Sequence, residues 1–172
     1  VLLTDSDFIS NNGRVTISGH SDGSVGLELS GSLFESVGGD ITMSGSSVDS
    51  TALLSSDTDY VSDSGNVRLF GGSSSDVGVS LENDSLISSS NGAVLVQGIT
   101  PNGVMGVNIL DSPIQTQSGT ITLLGQAGEA DNELADRIAL QIVGSSITAD
   151  QGNINVRGRV AASSAGAAVI FD

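Results

Sequence analysis

The sequence predicts an all-β fold: a single-stranded parallel β-helix, or β-solenoid, with three short strands per coil and about six coils. Three observations carry this. A glycine frame GxΦxΦxG, with Φ apolar, occurs six times, starting at Gly13, Gly39, Gly65, Gly92, Gly119 and Gly152, at separations of 26, 26, 27, 27 and 33 residues. An apolar triplet precedes each frame by twelve or thirteen residues: Val1–Leu3, Leu27–Leu29, Leu53–Ser55, Val79–Leu81, Val107–Ile109 and Leu140–Ile142, with a seventh copy at Val169–Phe171. One apolar point lies between triplet and frame: Phe8, Phe34, Tyr60, Leu86 or Ile87, Ile114 and Ile147. A fixed period of this size marks a repeat architecture.

The triplet comes first in each unit. Its alternation places one apolar set on a single face of a strand. A small residue usually precedes it, namely Gly26, Ala52, Gly78, Gly106, Ala139 or Ala168. The apolar point makes a second, shorter strand. The frame makes the third, with Val, Ile and Thr favouring extended backbone. Gly, Ser, Asn and Asp fill the corners, and pairs such as Asn12-Gly13, Gly38-Gly39, Ser64-Gly65 and Asn91-Gly92 are expected to use left-handed backbone there.

Three strands in about 26 residues cannot bury their apolar face alone, so coils must stack. Stacking at roughly 4.8 Å pairs each strand with its equivalent in the next coil, and six coils make a rod of about 29 Å. A right-handed course follows by analogy with other parallel crossovers. An antiparallel sandwich is the alternative, but it has no need of the same triplet, point and frame order in every unit. Length variation is expected on one corner only, between frame and next triplet. That corner holds Pro101-Asn-Gly103, the insertion 126–138 and an Ala/Ser-rich run after Arg159. The insertion is rich in helix formers (Glu129, Ala130, Glu133, Leu134, Ala135, Arg137), and Leu134 and Ile138 stand four apart, which predicts a short helical turn. Residues 1–172 read as one solenoid segment of a longer array or fibre, and a start at Val1 without Met suggests a processed or internal piece.

Composition narrows function. Net charge is -15, with five arginines, no lysine and twenty acids. Nucleic-acid binding needs a basic stripe, and this chain has none. Cysteine is absent, which removes disulfides and thiolate metal sites. No stretch approaches the ~18 apolar residues of a membrane span.

Candidate chemistry is sparse. His20 is the only histidine and sits in Gly19-His-Ser-Asp-Gly23. Neighbours along one turn seldom converge as a catalytic triad, so it reads as an exposed corner residue. Acids cluster at Asp5/Asp7, at Asp57/Asp59/Asp63, at Glu82/Asp84 and at Glu129, Asp131, Glu133 and Asp136. Stacking places Asp5, Gly31 and Asp57 on one corner and Asp7, Leu33 and Asp59 on another line, without a continuous acidic ladder. The calcium nonapeptide and the EF-hand loop are absent. No cofactor is expected beyond weak calcium binding at such a corner. Asp40 is the one acid among the outward residues of the frame, so that face lacks the carboxylate pair of a glycosidase. Thr16, Thr42 and Thr122 suggest an ice-binding array, but Arg68, Leu95 and Asn155 interrupt it. No catalytic, cofactor or metal residue is assigned, and no enzyme activity is expected.

The segments GVNILDSPIQTQSGTITLLGQAG and ALQIVGSSITADQGNINVRGRV resemble the β-strand repeats of large bacterial surface proteins, the filamentous-haemagglutinin-like adhesins and related giant repeat proteins. The resemblance covers nearly the whole chain. It implies an extracellular or cell-surface structural shaft that displays corner loops toward a glycan or cell-surface ligand. Its expected neighbours are adjacent solenoid segments, or identical chains stacked through open ends. A self-assembling fibre subunit and a carbohydrate-binding or carbohydrate-active β-helix are the alternatives.

Overall fold

The computed structural model describes residues 1–128, 137–161 and 166–172. The first coil consists of β1 (Leu2–Thr4), β2 (Asp7–Ser10) and β3 (Val15–Ser21). The second holds β4 (Leu27–Ser30), β5 (Leu33–Ser36) and β6 (Ile41–Ser47), and the third β7 (Leu53–Ser56), β8 (Asp59–Ser62) and β9 (Val67–Ser73). The fourth holds β10 (Val77–Glu82), β11 (Ile87–Ser89) and β12 (Val94–Thr100), and the fifth β13 (Met105–Leu110), β14 (Ile114–Thr116) and β15 (Ile121–Ala127). The sixth holds β16 (Arg137–Val143), β17 (Ile147–Ala149) and β18 (Ile154–Val160), and β19 (Gly166–Phe171) opens a seventh.

Every third strand pairs in parallel with its equivalent one coil away. Sheet A contains β1, β4, β7, β10, β13, β16 and β19; sheet B runs from β2 to β17 and sheet C from β3 to β18, with six strands each. The three-strand parallel solenoid is therefore the fold, and the register follows the sequence columns. Leu27, Leu53, Val79, Val107, Leu140 and Val169 align in sheet A. Phe8, Phe34, Tyr60, Ile87, Ile114 and Ile147 align in sheet B, so Ile87 rather than Leu86 is the inward point. The frames align in sheet C from Val15 to Ile154.

Inward members of these columns form one core, with Leu29, Phe34, Met43, Tyr60, Leu81 and Ile109 fully buried. Each buried Leu or Ile is worth roughly 1.5–3 kcal/mol against exposure. The aromatic rings stack along the axis, with centroids 5.2 Å apart for Phe8 and Phe34 and 5.5 Å for Phe34 and Tyr60. At the end coils the same columns reach solvent: Val1, Phe8, Ile154 and Phe171 are exposed.

The corners explain the polar half of the repeat. Between sheets A and B, Asp5, Asp57 and Asp111 have φ near +48°, and Gly31 and Gly144 have φ of 57° and 61°. Asp tolerates this left-handed backbone better than most residues. The next residue is Ser or Thr, and its hydroxyl donates to the carbonyl two residues earlier, as Ser32 does to Ser30 (3.0 Å) and Ser112 to Leu110 (2.8 Å). Between sheets B and C a second hydroxyl column caps the frame. Ser36 Oγ accepts from Gly39 N (2.9 Å) and donates to the Gly13 carbonyl of the preceding coil (3.2 Å); Ser89 and Thr116 repeat both bonds.

The frame glycines serve another purpose than expected. None of Gly13, Gly39, Gly65 and Gly92, nor Asn12, Ser64 or Asn91, has positive φ. They are required by close approach. A Cβ on Gly39, Gly65 or Gly92 would overlap the carbonyl of the glycine one coil earlier. A Cβ on the closing glycines, such as Gly45 or Gly125, would overlap the carbonyl of Ala52 or Ala139, the small residue that opens the next sheet A strand. Sheets A and C meet there backbone to backbone.

Two further expectations change. Of the insertion 126–138, Gln126 and Ala127 end β15 and Arg137 and Ile138 open β16, because coil neighbours offer them ladder partners. The rest of the expected helical turn lies outside the described residues. Length variation also touches a second corner: Leu81 aligns 26 residues from Ser55 but Ile87 aligns 27 from Tyr60, so Asn83 and Asp84 accommodate one extra residue between sheets A and B, both with positive φ.

Candidate functional surfaces

The sequence candidates fall on different faces. His20 is the penultimate residue of β3 and faces outward, so it lies in a strand and not in the corner that the sequence implied. Its Nδ1 lies 2.9 Å from Ser46 Oγ in the next coil, and its Nε2 lies 3.2 Å from Asp22 Oδ1. The serine brought to His20 is therefore Ser46 and not its neighbour Ser21. The histidine and aspartate side chains are 65% and 89% exposed. Water competes for every bond in that row, and the low-dielectric site that general-base chemistry exploits is not formed around it.

The acids remain distributed. Asp7, Leu33 and Asp59 align as expected. The Asp5 carboxylate lies over Gly31 in the next coil, and Asp111 over Gly144, in the space a side chain there would need. Among the described residues, no group of three or more acids or histidines is arranged to hold a metal ion. Glu129, Asp131, Glu133 and Asp136 lie outside the described residues.

Asp40 is engaged in structure. Its Oδ1 accepts from Asn66 N (2.9 Å) and Asn66 Nδ2 (3.0 Å), and its Oδ2 from Arg68 Nη1 (2.6 Å). The Asn66 backbone bond, followed by Arg68, holds the carboxyl below the usual range despite partial burial. Such a group keeps its charge and is a poor proton donor. The threonine array is interrupted as the sequence implied, since Thr42 pairs Arg68 and Thr122 pairs Leu95 and Asn155.

Three features were missed from the sequence. Ser55 replaces an apolar residue in the Leu29–Leu81 column because it accepts the buried Tyr60 hydroxyl at 2.9 Å. Arg137 is almost fully buried; its Nη1 donates to the carbonyls of Asn102 (2.6 Å) and Gly103. The third is a charge asymmetry. The strands of sheet A contain Glu28 and Glu82, and those of sheet B contain Asp7, Glu35 and Asp59, whereas the six strands of sheet C contain no acid. Sheet C also holds Arg68, Arg157 and Arg159. A groove of about 680 Å³ lies against β12, β15 and β18 on this sheet and reaches Val169. A smaller, polar groove of about 260 Å³ crosses sheet B at Ser88, Gln115 and Thr148.

No helix among the described residues is long and apolar enough to cross a membrane. Compared with protein-family models, with curated proteins and with solved structures, the chain matches none.

Proposed function

We propose that this chain is a structural shaft of a bacterial surface adhesin or fibre, working outside the cell, whose end coils are each continued by another solenoid coil. One observation carries the reading: the apolar columns run through all coils and end uncovered, at Val1 and Phe8 on one side and Ile154 and Phe171 on the other. Parallel ladders and buried columns give a stiff rod, and the corners between sheets C and A carry its variable loops. No catalytic residue enters this reading.

Stacking of identical chains is the second reading, favoured by the uncovered edges of β1 and β19.

The test appends a second copy of residues 31–56 after Asp172, which stands in register with Ser30 and Ser56. The added residues then supply the next strands of sheets B and C. The expected result is a higher Tm and amide protection throughout the extension. An extension that exchanges freely and leaves Tm unchanged overturns the reading. Uniform rods that lengthen with concentration, formed by the unextended chain in sedimentation velocity and negative-stain images, favour the fibre subunit instead.

A further inference from the structure

We infer that the outer face of sheet C across coils three to six is a binding site for a carboxylate-bearing oligosaccharide, a chain of hexuronic acid units. This goes beyond the shaft reading.

Register builds the site. Phe70, Gln97, Leu124 and Arg157 occupy one outward column in successive coils. Gln126 and Arg159 are successive members of the neighbouring column. The four-residue column spans about 14 Å along the axis at the inter-strand spacing, long enough for an extended oligomer lying parallel to the rod. Gln97, Leu124, Gln126, Arg157 and Arg159 line the groove, and Phe70 stands beside it, with open space at Gly72.

Each part suits one feature of such a ligand. A half-buried phenyl ring and Leu124 offer apolar surface to the C–H face of a pyranose ring. Gln97 and Gln126 present both donors and acceptors to hydroxyls. Arg157 and Arg159 are exposed, and among the described residues neither makes an ion pair. Guanidinium groups bind carboxylates in fork geometry.

Charge decides the class. The chain carries -15 overall, so anions are repelled from most of its surface. Sheet C is the exception, with no acid in its strands. Repulsion from acids farther away than about 8 Å is screened at physiological salt. An acidic peptide satisfies the arginines but makes no use of the Phe70 and Leu124 surface with flanking amides, so the saccharide is the better fit.

The experiment is a calorimetric or NMR titration of the full chain at physiological salt with three probes: a 1,4-linked hexuronate hexamer, the neutral hexose hexamer and hexaglutamate. The hexuronate is expected to bind, with the other two weaker by about tenfold or more. The double variant R157Q/R159Q is expected to lose about tenfold, the sum of two partly exposed ion pairs. F70A is expected to weaken the hexuronate, and R14Q, on the first coil's side of the sheet, to leave it unchanged. Circular dichroism checks that each variant folds. No hexuronate binding by the intact chain, equal binding of hexaglutamate, or undiminished binding by R157Q/R159Q overturns the inference.

Discussion

The Tyr60 hydroxyl donates to Ser55 Oγ at 2.9 Å in the centre of the rod, where both side chains are fully buried. Ser55 lies 3.3 Å from Ser85 Oγ, which itself donates to the Glu82 carbonyl (2.9 Å). Hydrogens therefore run from Tyr60 through Ser55 and Ser85 to a backbone acceptor. Removing the middle of this chain should hurt more than removing its start. Ser55→Ala strands a buried phenol and is expected to cost roughly 1–3 kcal/mol, whereas Tyr60→Phe keeps the ring stack on Phe34 and should cost about 1 kcal/mol. The double variant leaves no stranded donor and should be more stable than Ser55→Ala alone. Urea denaturation of the four proteins measures this, and a double variant weaker than both singles contradicts the hydrogen-bond order.

Burial pushes the Tyr60 hydroxyl far above its ordinary value of 10.0, with the Ser55 bond opposing the shift only in part. The sign follows from linkage. The unfolded chain releases this proton above about pH 10 and the folded chain does not, so stability is intact below that pH and falls as pH rises through and beyond it. Tyr60 is the only tyrosine and there is no tryptophan, so tyrosinate absorbance follows this one group. The expected outcome is absorbance that appears together with unfolding, and a flatter alkaline stability profile for Tyr60→Phe. Tyrosinate forming well before unfolding contradicts the buried placement.

What the sequence disclosed depended on whether a feature repeats in one strand or arises between strands. The columns through Leu27, Phe34 and Ile41 were legible because large apolar residues recur at fixed places among polar ones. The capping hydroxyls at Ser36, Ser62, Ser89 and Thr116 also stand at a fixed offset, three before the frame glycine, but serine is so common in these loops that the offset is masked. The frame glycines were legible as a pattern and misread in cause, because the overlap of Gly45 with Ala52 arises only when two sheets meet. Helix propensity at Arg137 and Ile138 yielded to pairing with β13. On the candidate site, the sequence showed a single acid, Asp40, among the frame's outward residues, whereas the alignment of Phe70 with Arg157 required the register of four coils.

Close approach gives the glycines a graded prediction. Gly45→Ala places a methyl against the Ala52 carbonyl, and backbone on both sides of the contact cannot move without breaking ladder bonds. It is expected to cost more than about 3 kcal/mol, among the larger effects of single substitutions. Gly72→Ala meets nothing within 4 Å and lies in a strand with ordinary φ, so it should be neutral or slightly stabilising. Thermal unfolding of the two variants separates them; similar losses from both refute the steric account.

Asp40 ties the second coil to the third through Asn66 and Arg68, and its behaviour in acid follows from those bonds. Its carboxyl is held below 3.8 chiefly by the Asn66 backbone N–H, then by Arg68. A depressed carboxyl contributes stability above its unfolded value and loses it as pH falls through the folded one. The Arg68 side chain is 36% exposed, so solvent screens the ion pair and the whole contribution is about 1 kcal/mol. Asp40→Asn should therefore destabilise by about that amount near pH 7, with the gap to the unsubstituted chain closing below about pH 4. Twenty acids titrate together in this chain, so the difference between the two proteins, and not either profile alone, reports Asp40. Paired denaturation curves across the acid range measure it. A gap that stays constant down to the acid limit assigns the loss at Asp40→Asn to altered packing and not to charge.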